Sequence, residues 1–143
     1  MIFNNILTLT HFARRSYDHI IMPICARHNI TRMELDVLLF LANNPGHDTA
    51  AELVSLRGLT KSHVSAAVAG LAMRGLLARS HRDGNRKTVH LTLLPAAAPI
   101  IADGQAAQQQ LAKALIAGFS DEELTVLNGA AERIIENMRA VLD

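Results

Sequence analysis

Between residues 57 and 90 the chain carries seven Lys or Arg against one acid, Asp83, and Arg79, His81, Arg82, Arg86 and Lys87 crowd around the triplet Asp83-Gly84-Asn85. Cationic donors gathered at one turn suit phosphate, both by charge and by hydrogen-bond geometry. Just upstream, Thr60, Lys61, Ser62, His63 and Ser65 bring hydroxyl, amine and imidazole groups close together. Short polar side chains on one helix face can approach base edges that a bulky face would be kept from. The chemistry suggested is recognition of a polyanion.

Other chemistries find less support. There is no nucleophile elbow, no phosphate-binding glycine loop and no His-Glu-x-x-His pattern, and the glycines fall at helix ends, so an enzyme is not expected. The lone Cys25 excludes an intramolecular disulfide; among Ile20, Ile21 and Ile24 it reads as a buried thiol rather than a redox sensor. Seven histidines raise zinc, and Cys25 and His28 share a helix face, but Gln105, Gln108, Gln109 and Gln110 stand where a further His cluster would be needed. No metal and no cofactor are expected. The opening MIFNNILTLTHFARR lacks a basic start and reaches Arg14 and Arg15 early, so neither a signal peptide nor a membrane span is read, and a cytoplasmic location follows.

These groups need elements to position them. Half of the residues are apolar and 3% aromatic, which favours helices over strands. Ile6, Leu9, Ala13, Tyr17, Ile20 and Ile24 predict one long amphipathic helix over residues 5–27, kinked at Pro23. Thr31 with Glu34, Thr49 with Glu52, and Ser120 with Glu123 each match the capping box. Gly58 ends a short helix, and Thr60 can cap the next, with Val64, Val68 and Leu71 inward and Lys61, Ser62, Ser65, Ala66 and Ala69 outward up to Gly75. Leu77–His81 and Thr88–Leu93 predict a hairpin turning at Asp83-Gly84-Asn85. A helix from Pro95 to Gly118 and a last one through Leu124, Leu127, Ile134, Met138 and Val141 complete the chain. The expected fold is mainly α: one domain over 1–143, a winged helix-turn-helix at about 31–94, and dimerisation helices at 1–30 and 95–143.

NITRMELDVLLFL, AAELVSLRGLTKSHVSAAVAGLAMRGLLAR and RDGNRKTVHLTL, taken in order, resemble the MarR family of winged helix-turn-helix transcription regulators. The resemblance implies a homodimer of intertwined terminal helices, a pseudo-palindromic double-stranded DNA operator and, in many members, a small-molecule effector. Repression of transcription with ligand-modulated DNA affinity is the leading expectation; a protein-binding winged helix, or a zinc- or redox-responsive member of the family, is the alternative. DNA contacts are expected from Thr60, Lys61, Ser62, His63, Ser65, Arg79, Arg82, Asn85, Arg86 and Lys87. Counted back from Leu91-Thr92, the wing position that commonly holds Arg in that family holds Asn85 here, with Arg86 one residue later. Either the hairpin shifts register or the wing contact is made differently. An effector pocket, if present, should lie between the first helix, the second and the winged region.

Overall fold

Thr31, Thr49, Thr60 and Ser120 each stand immediately before a helix in the computed structural model, which describes residues 1–143. The element order is α1 (Ile2–His28), α2 (Arg32–Asn43), α3 (Ala50–Arg57), α4 (Lys61–Met73), β1 (Leu77–Arg82), β2 (Asn85–Leu93), α5 (Ala98–Leu115) and α6 (Asp121–Leu142). The fold is mainly α with one two-stranded antiparallel hairpin. Two compact units divide it, Met1–Gln109 and Gln110–Asp143.

The expected caps form unevenly. Thr49 and Ser120 make complete capping boxes with Glu52 and Glu123. At Thr31 only half the box exists: its hydroxyl accepts from the Glu34 amide, while the Glu34 carboxylate turns to α4, 3.3 Å from where Gly70 would carry a Cβ. Thr60 occupies the N-cap position of α4, but its side chain makes no capping bond. The helix over Pro95 also differs from expectation. A 3₁₀ turn, Pro95–Ala97, precedes α5, which ends at Leu115 rather than Gly118. α1 runs from Ile2 to His28 through Pro23, longer at its start than the periodicity alone predicts.

In the first unit a single core joins Ile21, Ile24 and Cys25 of α1 to Leu35 and Leu38 of α2, Leu53 of α3, and Val64 and Leu71 of α4. Four apolar residues of α4, Val64, Ala67, Val68 and Leu71, face this core at i, i+3, i+4 and i+7, which leaves the opposite stripe free for polar groups. α4 ends in a Schellman motif. The Leu76 amide donates to Leu71 O and the Gly75 amide to Ala72 O, with Gly75 at φ 71 where a side chain would be strained. Arg74, at that same end, donates to the carbonyls of His28 and Asn29, which close α1. In the second unit α6 is amphipathic and buries none of its residues.

The hairpin turns on two residues, not three. Asp83 (φ 51) and Gly84 (φ 71) are both left-handed, the pair that a type I′ turn requires, so Asn85 begins β2 opposite Arg82. Register then breaks. Ser80 pairs with His90 while Arg82 pairs with Asn85, so residues 86–89 of β2 stand opposite His81 alone.

Candidate nucleic-acid interface

α3, the Gly58 corner and α4 form the helix-turn-helix, and the first turns of α4 present Thr60, Lys61, Ser62, His63, Ser65 and Ala66, all exposed. With no side chain capping it, the N-terminus of α4 keeps free amides and the positive end of the helix dipole, a combination that favours an anion. A cleft of ≈ 450 Å³ separates α3 and α4 from the wing, with Val54, Val64 and Val89 among its apolar walls. Lys61, Ser65, Arg79 and Lys87 line the same cleft, so helix and hairpin residues far apart in sequence share one surface.

Two of the expected contacts have other duties. The Asn85 side-chain oxygen accepts from the amides of Lys87 and Thr88, and its nitrogen donates to Thr88 Oγ1. Those amides lie where the strand register breaks, so Asn85 supplies the partners the ladder does not. The hairpin register is irregular here, between Ser80 and Arg82, over several residues of β2. Arg82 donates to Asp48 Oδ2 at 2.9 Å, and His90 Nδ1 lies 3.1 Å from the other oxygen, Oδ1. The His90 bond first, and the Arg82 charge after it, hold the Asp48 carboxyl below the usual carboxylate range. Arg86 and Lys87 remain exposed beyond the turn. Asp48 escaped the sequence reading because its partners are 34 and 42 residues away and no local pattern marks them.

A second cavity, ≈ 380 Å³, is lined by Tyr17 of α1, Arg32, Asp36 and Phe40 of α2, Arg57 at the end of α3 and Gln108 of α5, among others. It lies where a pocket between the first two helices and the winged region was expected. Arg32 is bound on both sides, by Asp18 and by Asp36, and its guanidinium lies 5.0 Å from the Tyr17 ring centre. Burial lifts the Asp36 carboxyl above its ordinary range although Arg32 opposes the shift. Arg57 sits 5.4 Å over the Phe40 ring instead, with no carboxylate against it. Cys25 is buried, and burial pushes its thiol pKa up. No three of the His, Cys, Asp and Glu side chains come together as a metal set. No helix is long and apolar enough to cross a membrane.

A helix-turn-helix followed by a two-stranded wing defines a winged-helix protein. Residues 28–87, which hold the helix-turn-helix and the first part of the wing, match the family model described as MarR family. The chain's fold is that of several solved structures. One is a candidate MarR family transcriptional regulator from Listeria monocytogenes complexed with 26mer DNA: 16% identity, TM-score 0.80, covering 93% of this chain and 87% of that one. Staphylococcus aureus MarR in complex with salicylate and kanamycin shares 19% identity at TM-score 0.77, covering 98% of this chain and 94% of that one. Bordetella bronchiseptica BpsR, whose DNA binding is regulated by 6-hydroxynicotinic acid, shares 21% at TM-score 0.61, covering 89% and 98%. No curated protein sequence matches the chain.

Proposed function

We propose that this chain is a sequence-specific DNA-binding transcription regulator, a homodimeric repressor acting in the cytoplasm whose affinity for a pseudo-palindromic operator is modulated by a small ligand. The observation that carries this reading is the exposed, uncapped start of α4, with Ser62, His63 and Ser65 uncrowded, beside a wing bearing Arg79, Arg86 and Lys87. Ser62, His63 and Ser65 read bases in the major groove; Thr60, Lys61 and the wing cations hold phosphates or enter the minor groove. Two such units related by a two-fold axis place their half-site centres about 10 base pairs apart. The fold shared with a protein solved on DNA supports this, as does the basic charge concentrated in residues 57–90.

Exposed apolar side chains on α1 (Ile2, Phe3, Leu9, Phe12) and on α6 (Leu127, Met138, Val141) support self-association. The effector reading rests on the ≈ 380 Å³ cavity, where Arg57 offers a guanidinium without a carboxylate partner beside the Phe40 ring. That pairing suits a small aromatic acid, the class that two proteins of the same fold are described with.

The test is a titration of Arg86→Ala and Ser65→Ala against a duplex selected from a random pool and against its scrambled counterpart. Arg86→Ala should weaken both and flatten the salt dependence; Ser65→Ala should cost roughly 1–3 kcal/mol on the selected duplex alone. Equal losses on both duplexes for both variants would refute the division between helix and wing.

A further inference from the structure

We propose that Asp48 is a positioning residue for the wing: its carboxylate straps the middle and the tip of the hairpin to the α2–α3 connection and keeps Arg82 off the DNA backbone. The inference rests on the DNA-binding reading above. Asp48 is tied three ways, and its neighbour once. Its carbonyl accepts the Leu91 amide at 2.7 Å, the adjacent Thr49 forms a bridge with His90, and its two carboxylate oxygens take different partners, His90 at 3.1 Å and Arg82 at 2.9 Å. His90 pairs with Ser80 at the middle of the hairpin, and Arg82 is the last residue of β1 before the turn. One side chain therefore holds the outer half of the hairpin, from the Ser80–His90 pair to the turn.

An exposed ion pair contributes little by itself, largely because two flexible side chains must be ordered to form it. Here one of the two is already fixed, by backbone bonds and by a His90 side chain only 16% exposed, so forming the pair orders Arg82 alone. Transferring Arg82 to a phosphate would leave the Asp48 charge uncompensated beside a polyanion, a repulsion that opposes the transfer. Arg79, Arg86 and Lys87 carry no such opposing partner, and they make the wing's phosphate contacts while Arg82 makes none.

Salt dependence separates the alternatives, because each phosphate contact adds about 0.9 to the slope of log affinity against log salt. The proteins to compare are the unaltered chain, Arg82→Gln, Asp48→Ala and the double variant, on selected and scrambled duplexes, with Asp48→Asn replacing Asp48→Ala if truncation unfolds the connection. Arg82→Gln should leave the slope unchanged. Asp48→Ala should steepen it by about 0.9 per wing as Arg82 becomes free, and the double variant should return to the original slope. A slope flattened by Arg82→Gln alone, or untouched by Asp48→Ala, overturns the proposal. Should the unaltered chain bind no duplex, the DNA reading itself fails, and the strap is then judged without DNA: hydrogen exchange at Leu91 and Asn85 should quicken in Asp48→Ala, and equal rates would dismiss it.

Discussion

Glu52 shows how one side chain makes a local fold depend on pH. His47 Nδ1 at 3.0 Å, together with the amide and hydroxyl of Thr49, lowers its pKa from 4.5 to about 2. A carboxyl whose pKa falls on folding binds its proton less tightly in the native state than in the unfolded chain. Its stabilising contribution is therefore complete above about 4.5 and is lost as pH falls toward about 2. Thermal melts should show Glu52→Gln less stable than the unaltered protein at neutral pH, with the gap closing through that window; a gap independent of pH would disconnect the box from ionisation. The box itself was legible, because Thr-x-x-Glu is a local pattern. The pairing of Asp48 with Arg82 and His90 was not, since it depends on where the hairpin lands.

Glycines were expected at helix ends, yet Gly70, Gly104 and Gly129 lie inside helices, and the last two make opposite forecasts. A Cβ on Gly104 of α5 would lie 2.7, 3.0 and 3.2 Å from three carbons of Leu39, which is fully enclosed in the core, whereas one on Gly129 of α6 would meet nothing. Alanine gains about 1 kcal/mol of helix propensity at either site, but overpacking costs about 1–3 kcal/mol at the first. Gly129→Ala should raise the unfolding free energy in denaturant titrations by up to about 1 kcal/mol, and Gly104→Ala should lower it by about 1 kcal/mol. The helices were readable from spacing, and α4 from the inward run Val64, Val68, Leu71. Less readable was how helices end and strands pair. Thr60 has the residue type of a capping residue without making the bond, the Pro95 turn is 3₁₀ before it is α, and the β2 irregularity follows from the Asp83-Gly84 turn, which sets the tip register independently of the root.

Phe3, Leu9 and Phe12 on α1 of the first unit and Val126, Met138 and Val141 on α6 of the second are exposed, apolar groups that the proposed self-association would cover. Mass measurement by analytical ultracentrifugation at micromolar concentration should return twice the chain's 15.5 kDa, and a stable species of 15.5 kDa would remove the homodimer. Arg74 has a mechanical consequence for such an assembly. By gripping the carbonyls of His28 and Asn29 it welds the C-terminal end of α4 to the C-terminal end of α1, and the N-terminal end of α4, 13 residues away, carries the polar groups. At 1.5 Å per residue the helix is a lever about 20 Å long with its fulcrum at Arg74. A tilt of about 5° delivered through that joint would sweep the far tip by nearly 2 Å, a large fraction of a hydrogen-bond length. Rotation about that joint would move Ser62 and Ser65 farther than it moves the end of α1 itself, within the limit that the buried Val64 and Val68 set on α4.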